Sequence, residues 1–117
     1  MSMESDLQAL LTTLCGNVYP DVAPEGAARP YVTWQGIGGE TLRFVGNEAA
    51  DKRHTLLQIN AWSETRQEAL ALIRQVEDAL CSAVVFTASP QGEPINTHEP
   101  DTRLYGSIQR FNVWSTR

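Results

Sequence analysis

The sequence predicts an α+β fold: a single domain with a mostly antiparallel four-stranded sheet and two helices packed on it, in the order α-β-β-α-β-β. Two apolar stripes at helical spacing and one segment of strict two-residue alternation supply the elements. The absence of a repeated strand–helix–strand order argues against a doubly wound parallel sheet. The 117 residues suit one domain, since domains usually run about 100–150 residues. No Pro/Gly-rich stretch is followed by a second core, so residues 1–117 are taken together.

The first helix is predicted over residues 3–15, where Met3, Leu7, Leu10, Leu11 and Leu14 share one face opposite Asp6, Gln8, Thr12 and Thr13. Ser2 or Ser5 can cap its start, Glu4 and Asp6 suit the positive end of its dipole, and Gly16 and Asn17 supply the stop. Residues 19–30, YPDVAPEGAARP, carry three prolines and no periodicity, and read as a connection. Tyr31–Ile37 is rich in β-branched and aromatic residues and reads as a strand that Gly36, Gly38 and Gly39 then break.

Gly38 to Lys52 mixes glycine, charge and apolar residues and reads as a long hairpin arm. The second strand, His54–Trp62, places Leu57, Ile59 and Ala61 on one face and Gln58 and Asn60 on the other. A second helix is predicted over 64–80, capped by Ser63, with Thr65, Ala69, Leu72, Ile73, Val76 and Leu80 as its stripe. A short strand over Ala83–Ala88 and a polar loop, SPQGEPINTHEPD, follow. The last strand is predicted from Arg103 to Ser115. Its apolar phase changes between Leu104/Ile108 and Phe111/Val113, which calls for a bulge or for burial of both faces.

Composition restricts the function classes. The net charge of −5 repels duplex nucleic acid at long range. No window approaches the roughly 18–20 apolar residues that span a bilayer, and the N-terminus has no basic region followed by an apolar run, so a cytosolic, soluble protein is expected. Cys15 and Cys81 lie outside any Cys-x-x-Cys spacing and read as reduced core thiols.

Catalytic constellations are weak. Cys15 or Cys81 with His54 or His98 as base would need a positive, partly exposed setting, whereas both thiols follow apolar helical residues near acidic charge. His98, Glu99 and Asp101 form the densest potential metal set, but in one loop and without a Cys-x-x-Cys or His-x-x-x-His partner. Gly36, Gly38 and Gly39 lack the Lys–Ser/Thr of a phosphate loop. Arg103, Arg110, Phe111 and Trp114 would make a sparse stacking platform for single strands, and Trp34 and Trp62 read as core or interface aromatics. No cofactor and no metal are expected. A small adaptor or metal-dependent enzyme using the His98–Asp101 loop stands as the alternative function.

The segment VYPDVAPEGAARPYVTWQ (Val18–Gln35) and the ending PDTRLYGSIQRFNVWS (Pro100–Ser115) resemble the two ends of a phage tail-completion family, long described as a domain of unknown function. Their order and spacing, more than either motif alone, carry the resemblance, which spans nearly the whole chain. It implies a non-enzymatic structural protein of a tailed bacteriophage or prophage. Such a protein would form a ring, typically hexameric, on the head-proximal end of the tail tube, ending tube polymerisation and joining tail to head. The implied partners are further copies of the chain, the tail tube protein and the head-connector protein, with no nucleic acid and no membrane. It would reside in the bacterial host cytoplasm during assembly and afterwards in the virion tail.

Within the arm, Leu42, Phe44 and Val45 lie between Gly39 and Gly46 in a charged segment. A small domain has little core room for apolar residues on a protruding loop, so these three, with Arg43 as a charged rim, are read as a contact with a neighbouring subunit or with the tube, the alternative being a disordered loop whose apolar residues are incidental.

Overall fold

The computed structural model describes residues 2–40 and 52–116. Helix α1 spans Met3–Leu14, and helix α2 spans Arg66–Ser82. The strands are β1 (Val18–Pro20), β2 (Tyr31–Gly36), β3 (Lys52–Ser63), β4 (Thr87–Pro90), β5 (Ile95–Glu99) and β6 (Leu104–Thr116). The described order is therefore α-β-β-β-α-β-β-β, and the sheet is six-stranded and mixed, in place of the expected four antiparallel strands. β1 lies parallel to β2, and every other pairing is antiparallel.

The two additional strands have clear physical origins. β1 is three residues long and ends at Pro20, too short to show a period, and pairing with β2 is what extends it. β5 runs through the segment expected to be a polar loop, because an edge strand exposed on both faces carries no apolar alternation. β4 starts at Thr87, later than the Ala83–Ala88 strand expected from its apolar run. Phe86 does enter the core, but Val84 is 97% exposed.

β4 and β5 share one edge of β6. Pro90 faces Phe111 and Ile95 faces Ile108, so the four residues 91–94 bulge opposite only Gln109 and Arg110. The bulge thus sits in the partner strand. β6 itself keeps an unbroken register with β3, from Lys52–Thr116 to Ser63–Tyr105. Its apolar phase changes because both faces are used: Phe111 and Val113 face the helices, and Leu104, 1% exposed, is covered on the other side by residues of the 23–29 connection.

Both helices pack on one face of the sheet. Leu7 and Leu11 of α1 and Ile73, Val76 and Leu80 of α2 meet Val32, Leu57, Ile59, Phe111 and Val113 in one core. Each large side chain placed there contributes about 1.5–3 kcal/mol on burial. Ser2 caps α1 through a reciprocal pair with Ser5, each side chain bonded to the other residue's backbone. The cap of α2 is Thr65, whose hydroxyl accepts from the Glu68 amide, while the expected cap Ser63 ends β3 and donates to the Glu68 carboxylate. Trp34 reaches toward α1 and donates its indole N–H to Gln8 Oε1 at 2.7 Å, and Gln8 in turn donates to the Val18 carbonyl. This polar link seats α1 on the β1–β2 edge.

The fold is elongated, 51 × 26 × 24 Å, because β3 and β6 are twelve and thirteen residues long. At one end the β2–β3 hairpin leaves the sheet: the Ile37 amide donates to Leu56, and the Leu56 amide to Gly38. At the other end lie the 21–30 connection and the β5–β6 turn.

Candidate functional site

The face of the sheet turned away from the helices is the candidate site. Its side chains come from the alternate positions of β3 and β6 and stand in cross-strand pairs: His54 with Trp114, Leu56 with Asn112, Gln58 with Arg110, Asn60 with Ile108, and Trp62 with Gly106. None of the β3 members is fully buried, and Trp114 and Arg110 are exposed. Ile95, on the adjoining edge, is 58% exposed. One face of the sheet is thus sealed by helices, and the other is left aromatic and half-open.

At the arm end, the His54 ring stacks on Trp114 with centroids 4.6 Å apart and an interplanar angle of 29°. The Glu40 amide donates to His54 Nδ1 at 2.9 Å, so the ring proton sits on Nε2 and is donated to Asn112 Oδ1, also at 2.9 Å. Gly38 and Gly39 take φ of 123° and 132°, and a Cβ on Gly39 would collide with the backbone carbonyl of His54. These contacts pin the start of the arm against β3. On the helix side of this end, Arg53 holds Glu4 with two nearly parallel bonds of 3.0 and 2.7 Å, tying β3 to α1. The bond from Arg53 holds the Glu4 carboxyl below the usual glutamate range, more than partial desolvation raises it.

At the opposite end, two adjoining grooves of about 220 and 210 Å³ open under the 21–30 connection. Tyr31, Ala23 and Glu99 line both; Val22 and Trp62 line the first, and Leu104 floors the second. Their charged residues are mostly acidic: Asp21, Glu25 and Glu99. Arg29, the one base there, lies 3.9 Å from Glu64. Burial, reinforced by the Glu99 charge, pushes the Tyr31 phenol above its ordinary range.

The residues of the catalytic readings are not brought together. His98 and Glu99 are successive residues of β5 and project to opposite faces, with His98 against Tyr105 at 4.5 Å between centroids and Glu99 at the grooves. Among the described residues no three His, Cys, Asp or Glu side chains converge on a point that could hold a metal. Cys15 is buried, its sulfur facing the carbonyls of Pro30 and Asn17. Cys81 is exposed, which corrects its expected place in the core, and desolvation together with Glu77 and Asp78 pushes its thiol up. The stacking platform is divided by strand alternation: Phe111 is fully buried in the core while Arg110 and Trp114 stand on the open face. The arm residues Leu42, Arg43, Phe44 and Val45 lie outside the described residues.

What sequence reasoning missed here is the pairing of the open face with the acidic grooves. The grooves depend on β5 and on the 21–30 connection folding back over the sheet, and neither has a periodic signal.

Comparison with protein families finds that residues 3–116 match the family described as Tail completion protein gp17. The chain belongs to this family of phage tail-completion proteins. The match begins at the first residue of α1 and ends at the last residue of β6, so both helices, the whole sheet and the arm of this tail-completion protein fall within it. The comparison with curated proteins gives no match. Among the described residues, no helix is long and apolar enough to cross a membrane.

Proposed function

We propose that this tail-completion protein closes the head-proximal end of a phage tail as a ring of identical subunits, the hexamer the family resemblance implies. The ring blocks further addition of tube protein and offers a new surface to the head connector. The protein acts by geometry, not by chemistry on a substrate, and its place is the host cytoplasm during assembly and then the virion tail.

The observation that carries this reading is the half-open sheet face of an elongated domain with two unlike ends. A ring needs heterologous contacts, in which one surface of a subunit meets a different surface of the next. A tube end needs, in addition, a broad face on which to seat. The exit of the chain beyond Glu40 at one end, the grooves at the other and an aromatic sheet face between them supply surfaces of both kinds. In this reading Leu42, Phe44 and Val45 of the arm, rimmed by Arg43, make a subunit or tube contact.

Deleting the gene from an inducible phage and measuring tail lengths by electron microscopy tests the proposal. Overlong tubes, or tubes of normal length that fail to join heads, are expected. Normal tails on filled heads would refute it.

A further inference from the structure

Resting on the ring reading, we propose that the acidic grooves beneath the 21–30 connection are the docking site for the arm of a second copy of this chain, with Glu99 facing Arg43 of that neighbour.

The grooves have the chemistry of a receiver for an apolar segment with one positive charge. Tyr31, Trp62, Val22 and Leu104 give them apolar walls, and Val22 is 79% exposed although it stands at their edge. Glu99 lines both grooves, with Asp21 beside the first and Glu25 beside the second. The segment Thr41–Val45 matches this pattern: it carries Leu42, Phe44 and Val45, a single base in Arg43 and no acid. The acids of the arm, Glu40, Glu48 and Asp51, lie outside that segment in sequence. A lone arginine among apolar residues gains most where a carboxylate stands at the edge of an apolar pocket.

Chain length requires that any arm seated in this groove come from another molecule. Its eleven residues, 41–51, run from Glu40, bonded to His54, to Lys52 at the start of β3. Trp62 lies eight residues along β3 from His54 and ten from Lys52, which is about 26 and 33 Å at ~3.3 Å per residue. A path out to the groove and back therefore needs about 60 Å, whereas eleven residues at full stretch cover at most ~40 Å. The arm cannot fill its own groove. Because the groove and the point where the chain leaves the sheet toward residues 41–51 lie at opposite ends of β3, each contact would leave a free arm and a free groove for the next copy, which is the arrangement that closes a ring.

Site-directed cross-linking tests this. One full-length chain carries Phe44→Cys and Cys81→Ser, a second carries Val22→Cys and Cys81→Ser, and the two are mixed with a short bismaleimide. A heterodimer is expected at a yield at least about tenfold above that of the Phe44→Cys chain with a Val84→Cys, Cys81→Ser chain, whose cysteine is exposed but remote from the grooves in sequence. Glu99→Arg in the groove chain should reduce the yield about tenfold, as like charges are brought together. Arg43→Glu in the arm chain should restore it. Circular dichroism of each variant confirms that the fold is intact, and Glu99→Gln serves as the milder substitution where Glu99→Arg does not fold. Equal yields at Val22 and Val84, or a Val22 yield indifferent to both charge changes, would overturn the groove as the arm's site. The tail-length measurement bears on the ring separately, so a failed cross-link with overlong deletion-mutant tails would refute this contact and leave the ring standing.

Discussion

The indole of Trp62 lies flat enough over Gly106 that a Cβ added there would stand 2.7 Å from Trp62 Cζ3 and 3.0 Å from Thr97 Cγ2. The two residues are direct partners across β3 and β6. A glycine at this point allows one large aromatic to cross onto the neighbouring strand and wall the first groove.

Gly106→Ala should therefore force Trp62 off the sheet and destabilise the protein by about 1–3 kcal/mol, the usual cost of overpacking. Urea denaturation checks the stability. A red shift of tryptophan emission at low urea checks the displacement.

Gly39→Ala should act at the other end. Its φ of 132° and its contact with the His54 carbonyl leave no room for a methyl group, and strained backbone of this kind costs on the order of 1–3 kcal/mol. The expected outcome is a lower midpoint in thermal melting with faster hydrogen exchange at the Leu56 amide, which bonds to Gly38.

The Glu4–Arg53 pair makes stability depend on acid. Glu4 has a lowered pKa when folded, so its contribution is complete above the ordinary glutamate range and is lost as pH falls through the lowered folded value. Both side chains are 39% exposed, so solvent screening limits the pair to about 0.2–1 kcal/mol. Glu4→Gln should cost that much at pH 7 and nothing once the pH is below the folded value. Denaturation curves at both pH values, in low salt, show whether the difference closes.

The two thiols should separate by reactivity. Cys81 is open to reagent, yet desolvation and two carboxylates disfavour its thiolate; iodoacetamide should modify it more slowly than a free thiol at pH 8, with the gap narrowing as pH rises. Cys15 should react only on unfolding. Rapid modification of Cys15 in the native protein would contradict its placement against the Pro30 carbonyl.

Much of this architecture is legible in the residues themselves. Leu7 and Leu11, or Leu72, Ile73, Val76 and Leu80, announce helices because one face must be buried for each to be stable, and Leu57, Ile59 and Ala61 announce a strand covered on one side. β1 and β5 escape that logic: neither buries a continuous face, and each is held by backbone pairing to a neighbour that sequence alone does not name. Cys81 escapes for a different reason: it follows the buried Leu80 on α2 but its helical phase turns it outward with Asp78, while Leu80 and Ala83 on either side pack in the core. The candidate site is less legible still. Tyr31, Trp62 and Glu99 come from three strands and meet only through the sheet's register and the folded-back connection.

Cryo-electron microscopy of purified tails measures both where the protein sits and in what arrangement. A single closed ring of this chain at the head-proximal tip, beyond the last tube ring, is expected; its absence from that tip, or its distribution along the tube, would refute the ring.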